Sequence, residues 1–333
     1  MPDRTWAVWS ALNFSIACAG TWLARRYALR RKLVDQPGER RSHVVPTPRG
    51  GGIAIVIAQA FACAWLAVHG PDLAPWFAGT GAGLLLVAGV GWIDDHRPLS
   101  PWLRLGTHAI AAALLAWATW QVAGSLPAAA WAFGLALVLT NVWNFMDGID
   151  GLAASQALLA ALGYAAWAAG GPIAALAIAL VAACLGFLPF NLPRARIFLG
   201  DVGSGALGYV LAALASVLAA RDGTHAAVLL LPLSAFLLDA SLTLAGRIVR
   251  RERWWLPHRG HAYQLWAQRI GRHGGVTLAY AGWTLTTVAA MLITRKTGGA
   301  GSIAVPVAIA AVGCAAWAGL RRTVRGSEWG SRE

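Results

Sequence analysis

The chain has 333 residues, of which 58% are hydrophobic and only 12% are charged, and 27 Lys and Arg outnumber 14 Asp and Glu. Soluble domains carry about 45–50% apolar and about 25% charged residues, so a soluble enzyme is excluded, because this chain could not cover its surface. Intrinsic disorder is excluded as well, since apolar residues are abundant. In a membrane protein the net charge of +13 reflects cytoplasmic loops rather than nucleic acid, which is not expected as a partner.

Eleven apolar runs approach the about 20 residues that a helix needs to cross a bilayer. They lie at 6–23, 51–69, 74–93, 102–122, 127–143, 151–169, 172–190, 205–220, 225–247, 275–294 and 303–320. These runs leave no room for a sizeable soluble domain. The prediction is an all-α polytopic integral membrane protein with about 11 transmembrane helices, in which residues 1–333 form a single transmembrane domain.

The basic residues predict the orientation of the spans. When the loop after the first span is placed in the cytoplasm, 23 of the 27 Lys and Arg fall on the cytoplasmic side. Only Arg4, Arg221, Arg295 and Lys296 fall on the other side. This asymmetry predicts an outside N-terminus and a cytoplasmic C-terminus. The predicted cytoplasmic loops lie at about 25–49, 94–101, 144–151, 191–204 and 247–273.

Five of the 14 acidic residues lie at the ends of three predicted spans, all on the cytoplasmic side. Asp94 and Asp95 follow the third span, Asp147 and Asp150 the fifth, and Asp201 the seventh. Unpaired carboxylates beside hydrocarbon are costly, so the cluster implies a compensating cation or a function. Oxygen ligands without thiols suit Mg²⁺ or Mn²⁺, and glycine-rich turns can bring backbone N–H groups close to anionic oxygens. The cluster therefore indicates phosphoryl chemistry at a cytoplasmic interface.

Each motif alone also has a structural interpretation. Asp94 and Asp95 could cap a helix end or pair with Arg97 and Arg104, and a lone GDxGS sequence around Asp201 is more often a turn than a site. Only the occurrence of three such acidic motifs on the cytoplasmic side favours a functional site over a structural interpretation. The alternative function is a secondary transporter or lipid flippase that uses the acids as an ion site. Transporters place such sites near the bilayer midplane between internal repeats, whereas these acids cluster at one face.

In this order, the motifs resemble those of the polyprenyl-phosphate N-acetylhexosamine-1-phosphate transferases. That superfamily includes the phospho-N-acetylmuramoyl-pentapeptide translocase and the bacterial enzymes that start O-antigen and enterobacterial common antigen synthesis. The matching segments are 35–51, 94–95, 141–152, 191–204 and 257–264.

The resemblance implies Mg²⁺-dependent transfer of a sugar-1-phosphate from a UDP-N-acetylhexosamine to undecaprenyl phosphate, with release of UMP. This would be the first membrane step of O-antigen, lipopolysaccharide or other cell-wall glycan synthesis. It also implies a bacterial inner membrane with a periplasmic N-terminus, an active site facing the cytoplasm, contact with membrane lipids, and a homodimer.

The resemblance further implies roles for individual residues. Asp201 matches the metal ligand. Asp94 and Asp95 match the pair that orients or deprotonates the lipid phosphate, while a covalent intermediate on a carboxylate stays an open alternative. The other matching residues are Asp147, Asp150, His258 and His261, expected in catalysis, and His43, Arg49, Asn144, Asn191, Phe198 and Arg259, expected to bind substrate.

Three assignments stay open at this stage. Zinc held by His258 and His261 is a rival interpretation of the basic loop, although no cysteine or further histidine lies nearby. The His-Arg-x-His-x-Tyr-Gln form of this loop resembles the O-antigen-initiating branch, which leaves open whether the sugar is GlcNAc, FucNAc, QuiNAc or another. Asp239, inside the ninth span, is either a functional acid or a partner of Arg247.

Overall fold

The computed structural model describes residues 3–36, 46–222, 226–253, 256, 258–297 and 301–329, and most of these residues are helical. The helices are α1 (Asp3–Arg31), α2 (Ile53–His69), α3 (Ala74–His96), α4 (Pro101–Ala123), α5 (Leu126–Met146), α6 (Leu152–Ala168), α7 (Gly171–Asn191), α8 (Asp201–Asp222), α9 (Ala226–Leu229), α10 (Ser234–Val249), α11 (Ala262–Ile270), α12 (His273–Thr297) and α13 (Gly301–Trp329). Short 3-10 turns at Pro71–Leu73 and Leu231–Leu233 precede α3 and α10. Strands β1 (Val34–Asp35) and β2 (Thr47–Pro48) form one antiparallel pair, in which Val34 lies opposite Pro48.

The protein is an all-α polytopic membrane protein, as the sequence predicts. Within the described ranges, eight segments are long and apolar enough to cross a membrane. They are Thr5–Arg31, Pro71–His96, Leu126–Met146, Gly171–Asn191, Asp201–Arg221, Ala226–Val249, His273–Thr297 and Ile303–Thr323. Helices α2 and α6 are apolar but have only 17 residues each. Every predicted apolar run falls on helix, the ninth on α9 and α10 together. The number of spans and the side of each terminus stay predictions.

Serine caps and glycine turns connect the antiparallel helices α3, α4 and α5. The side chain of Ser100 accepts a hydrogen bond from the backbone N–H of Leu103 at 3.2 Å, with Pro101 in the first turn of α4. The α4–α5 turn contains Gly124 at φ +61°, a left-handed conformation that glycine adopts without strain. Because such caps satisfy the free N–H groups of a first turn, each helix begins at a defined residue, and α4 returns the chain beside α3.

Helix α8 lies at the centre of the bundle, where it packs against α2, α3, α4, α5 and α6. Its small residues make this possible, since a Cβ added at Gly203 would overlap Gly52, and Gly91 of α3 leaves no space for a Cβ against the peptide between Asp201 and Val202. Small residues let helix backbones approach closely where no hydrophobic force drives helices together. The first turn of α8 is therefore held directly against the end of α3.

The second part of the bundle consists of α10 to α13. Helix α12 packs against α6, where the Thr284 hydroxyl donates a hydrogen bond to the buried Gln156 side chain. Helix α13 packs against α9, α10, α11 and α12, while the apolar window of its candidate span is not buried by the rest of the protein. This arrangement places the loop between α10 and α11 beside the end of α5.

Candidate active site

Asp95, at the end of α3, caps a different helix. Its Oδ1 accepts a hydrogen bond from the backbone N–H of Asp201 at 3.1 Å, and its Oδ2 accepts one from that of Val202 at 3.2 Å. The carboxylate is 4% exposed, and the Arg49 guanidinium lies 3.9 Å from its Oδ1. A carboxylate at a helix N-terminus is stabilised by the helix dipole and by charge-assisted hydrogen bonds. Asp95 thereby holds the N-terminus of α8, so the helix-cap interpretation applies to α8 rather than to its own helix.

Arg104 of α4 joins three of the helix ends. Its Nη1 lies 2.9 Å from Asp94 Oδ2 and 3.1 Å from Asp201 Oδ2, and its Nη2 donates to Asn144 Oδ1 at 2.9 Å. The Asn144 Nδ2 donates in turn to Asp201 Oδ1 at 2.8 Å and to Ser204 Oγ at 3.0 Å. The predicted convergence of α3, α5 and α8 thus occurs around one guanidinium. From the sequence, Arg104 was expected only as a possible ion-pair partner of Asp94 and Asp95.

Asp147, directly after α5, has a different environment. Across the described part of the chain, no hydrogen bond or ion pair reaches its half-buried carboxylate. Burial, followed by the negative charges of Asp201, Asp95 and Asp150, raises the pKa of Asp147 to about 8. The carboxylates at this end of the bundle therefore exceed the cations that face them, and without a further cation Asp147 is mostly protonated at pH 7.

Asp150 and Asn191 are bound to backbone groups of neighbouring loops. Asp150 Oδ2 accepts from the Ala195 N–H at 3.1 Å, and its Oδ1 lies 3.3 Å from His273 Nδ1. The buried Asn191 accepts from the Gly151 N–H at 2.8 Å and donates to the Ile197 carbonyl at 2.9 Å. Both side chains connect the end of α5 to the loop between α7 and α8. Their roles toward substrate stay predictions.

The substrate residues predicted in the first loop lie on the same side. Arg49 donates to the backbone carbonyl of Asp95 as well as facing its carboxylate. Phe198 is half-buried, its N–H donates to the Pro48 carbonyl at 2.8 Å, and its own carbonyl accepts from the Gly51 N–H at 2.9 Å. The first loop and the α7–α8 loop are thus joined through their backbones. His43 lies outside the described residues.

The basic loop lies beside α5 through its two histidines. The rings of His258 and His261 stack with centroids 4.8 Å apart, and His261 stacks with Phe145 at 6.3 Å. Arg259 lies half-buried between them in the chain. The Tyr263 hydroxyl donates to the Phe145 carbonyl at 3.0 Å. The loop is therefore placed next to the segment that carries Asp147.

Asp239 holds this loop in place through hydrogen bonds. Its buried carboxylate accepts hydrogen bonds from five donors: the backbone N–H groups of Ala262 (2.8 Å) and Tyr263 (3.1 Å), and the side chains of Tyr280 (2.9 Å), Trp317 (3.2 Å) and Thr243 (3.2 Å). It caps α11. Pairing with Arg247 is not the role of this acid, because Arg247 lies 3.3 Å from Glu252 instead. The sequence contained no signal for this cap beyond the position of an acid inside a span.

Known proteins match most of this chain in sequence. The sequence profile of glycosyl transferase family 4 matches residues 77–219. A decaprenyl-phosphate N-acetylglucosaminephosphotransferase of Mycobacterium tuberculosis is 35% identical over 293 residues, which cover 76% of this chain and 72% of the relative. The chain belongs to glycosyl transferase family 4.

Two other relatives of this family 4 transferase come from different branches. A Bacillus subtilis protein, named as a probable undecaprenyl-phosphate N-acetylglucosaminyl 1-phosphate transferase, is 27% identical over 296 residues, which cover 83% of this chain and 82% of the relative. A phospho-N-acetylmuramoyl-pentapeptide-transferase of Heliobacterium modesticaldum is 29% identical over 340 residues, which cover 88% of this chain and 97% of the relative. The family expected from the motifs is therefore confirmed.

The family 4 profile covers only part of the candidate site. It runs from within α3 to within α8 and includes the five clustered carboxylates together with Arg104 and Asn144. Arg49 and the basic loop with His258 and His261 lie outside it. The carboxylate network is thus the portion of this transferase that the family signature describes.

The stability of the family 4 transferase is expected to fall in mild acid because of His258. Burial, followed by the charges of His261 and Arg247, lowers the pKa of His258 from 6.5 to about 4. Between these values the unfolded chain binds a proton that the folded chain does not, so the free energy of unfolding decreases as pH falls from about 6.5 to about 4. In His258→Gln, the melting temperature should depend less steeply on pH across this range.

The control for this measurement is His69→Gln, which removes an exposed histidine at the opposite end of α2. The control should keep the wild-type slope. Equal slopes for wild type and His258→Gln would show that the His258 imidazole is not kept neutral by its surroundings.

Proposed function

We propose that this transferase moves N-acetylhexosamine-1-phosphate from a UDP-activated sugar to undecaprenyl phosphate and releases UMP. The observation that carries the proposal is the network of Asp94, Arg104, Asn144 and Asp201 at one end of the apolar helices. A phosphate attached to a lipid and a soluble nucleotide sugar can meet only at such an interface. The names of the relatives support polyprenyl phosphate as acceptor and a sugar phosphate as the transferred group.

The donor set at this end of the bundle fits Mg²⁺, with Mn²⁺ as the second choice. Within the described residues no three His, Cys, Asp or Glu side chains form a ready metal site. Mg²⁺ does not need one, since it uses one or two carboxylates and keeps waters and substrate phosphates as its other ligands. Asp201 would hold the ion, and a divalent cation nearby would favour the ionised form of the unpartnered Asp147, whose pKa is raised by burial and by its acidic neighbours. When bound, the ion would offset the charge of the diphosphate.

The protein groups have distinct parts in the proposed transfer. An oxygen of the lipid phosphate attacks the phosphorus attached to the sugar, and the bond from that phosphorus to the UMP oxygen breaks. Asp94 orients the lipid phosphate or takes its proton. Arg104 places positive charge between Asp94 and Asp201, where it can stabilise phosphate oxygens as they approach. Asp95 positions Asp201 through the first turn of α8.

The basic loop is proposed to bind the donor. His258 and His261 are neutral near pH 7, since burial lowers the pKa of both imidazoles, and they flank Arg259. A guanidinium with two imidazoles suits a diphosphate and sugar hydroxyls. Residues of this loop would therefore determine which N-acetylhexosamine is bound. The proposed active site faces the cytoplasm. We place the enzyme in a bacterial inner membrane, as a homodimer, at the first membrane step of O-antigen or another surface glycan.

A UMP-release assay tests the function. Purified protein, Mg²⁺ and undecaprenyl phosphate are incubated with UDP-GlcNAc, UDP-FucNAc or UDP-QuiNAc in turn, and at least one donor is expected to give UMP and a lipid-linked sugar. Undecaprenol, which lacks the phosphate, is the matched control acceptor and should give none. Absence of UMP with every donor, together with solute or lipid movement in vesicles, would instead support a transporter or flippase.

A further inference from the structure

A small cavity lies at the membrane face opposite the carboxylate network. It has a volume of about 190 Å³, and its lining includes Trp167 near the end of α6, Gly170 between α6 and α7, Arg221 near the end of α8, and Arg295 near the end of α12. Helix α7 runs from this cavity to Asn191 beside the carboxylates and has 21 residues. At a rise of 1.5 Å per residue the two places are roughly 30 Å apart. The cavity therefore cannot share a ligand with the candidate active site.

Two exposed arginines bring positive charge to this cavity. Neither Arg221 nor Arg295 has an ion pair or a hydrogen-bond acceptor in the described ranges, and Asp72, on the turn that contributes Leu73 to the lining, pairs with neither. Two like charges around one small cavity repel each other, and both lie on the side where the positive-inside rule predicts few cations. An anion between the two guanidinium groups would remove this repulsion.

The orientation of Arg295 leaves its donors available. Its guanidinium carbon lies 5.0 Å from the centroid of the Trp167 ring, and Trp167 is 1% exposed and so is held rigidly. Stacking on an aromatic ring occupies the face of a guanidinium, whereas its N–H groups point outward in the plane. That planar set of donors matches two oxygens of a phosphate.

The backbone adds to the positive potential. Helix α7 begins at this cavity with Gly171, directly after Gly170, and the two glycines have φ values of +75° and +120°. Both glycines line the cavity, and no atom lies within 4 Å of where a Cβ would stand at either of them. The free N–H groups of that turn carry partial positive charge. The N-terminus of α7 and the two guanidinium groups thus both favour a negatively charged ligand.

We propose that this cavity binds a phosphate group. Because the cavity lies at the ends of membrane-spanning helices, the phosphate of an anionic phospholipid headgroup is within reach, and free phosphate is the other source. Each Lys or Arg near an anionic membrane surface strengthens lipid binding by a factor of about five. Removal of both arginines should therefore lower the affinity for an anionic lipid about thirty-fold.

The test measures the melting temperature of the purified full-length protein in neutral detergent during titration with phosphatidylglycerol, phosphatidylcholine or inorganic phosphate. Phosphatidylglycerol is expected to stabilise the wild type, with a half-saturating concentration about thirty-fold higher in the double variant Arg221→Gln, Arg295→Gln. Lys296→Gln is the matched control, since it removes an exposed cation of the same face that does not line the cavity. This control should titrate like the wild type.

The titrations with phosphatidylglycerol and with inorganic phosphate distinguish the two possible sources of the phosphate group. A response to inorganic phosphate equal to that of phosphatidylglycerol, and lost in the double variant, assigns the cavity to free phosphate. A response to phosphatidylglycerol alone assigns it to the lipid. Should the double variant fail to insert, Arg221→Lys and Arg295→Lys keep the charges without the planar donors, and each is expected to weaken binding several-fold. Wild-type titration curves in the double variant, or in both lysine variants when these replace it, would overturn the proposal.

Discussion

Asp201→Asn is expected to abolish transfer while the protein still folds and inserts into the membrane. The amide keeps one oxygen that can accept from Asn144, but it loses the charge that faces Arg104 and the proposed ion. The fold is retained because Asp95 caps α8 through the backbone of Asp201, not through its side chain. Since a metal ion contributes several kcal/mol of charge stabilisation, UMP release should fall by about 10³-fold or more.

The measurement compares UMP release and melting temperature for wild type, Asp201→Asn and Asp72→Asn. Asp72 is an exposed carboxylate at the opposite membrane face, so its replacement should change neither quantity. A titration with Mg²⁺ adds a direct readout, because a variant that has lost a ligand should need far more ion for its residual activity. Wild-type activity in Asp201→Asn would remove the basis for the metal assignment.

Asp239→Ala is expected to destabilise the protein and to reduce transfer together. Removal of the carboxylate leaves the Tyr280 hydroxyl, the Trp317 indole N–H and two backbone N–H groups without their acceptor. Each buried donor without a partner costs about 1–3 kcal/mol. The start of α11 and the adjacent histidine loop would then shift, and a displacement of about 1 Å can lower a rate by about 10²-fold.

The control for Asp239 lies on the same helix. At the other end of α10, Ser234→Ala removes two hydrogen bonds: the one from the Trp283 indole (3.0 Å) and the one that the Ser234 hydroxyl donates to the Leu231 carbonyl (2.7 Å). It should lower the melting temperature slightly and leave UMP release unchanged. Asp239→Asn, which keeps the shape and one acceptor, should fall between wild type and Asp239→Ala in both measurements. A fully active Asp239→Ala would show that the histidine loop needs no support from this acid.

The sequence predicted the helices and the gathering of acids at one face, because both depend on local patterns. Apolar runs mark the spans, and the basic loops orient them independently of the acids. The three carboxylate groups then had to meet wherever their spans pack together. The profile and the relatives confirm the family that the order of these motifs indicated.

The partners of individual acids could not be predicted in the same way. Asp95 caps a helix that begins 106 residues later, and Asp239 caps one that begins 23 residues later. Nothing in the local sequence distinguishes a carboxylate that binds a backbone from one that faces substrate. Arg104 illustrates the same limit, since its three partners come from three other helices. Only their arrangement separates Asp147, which lacks a partner, from its neighbours.

The central position of α8 has a consequence for how the protein is made. Helices α2, α3, α4 and α5 are all synthesised before α8, although each packs against it. At about 5–20 residues per second, the 127 residues from Asp95 to the end of α8 take about 6–25 seconds to translate. During that interval the carboxylates at the ends of α3 and α5 lack both Asp201 and the helix that orients them. The central helix of the bundle is thus added late, and the carboxylate network is completed only when two-thirds of the chain has been made.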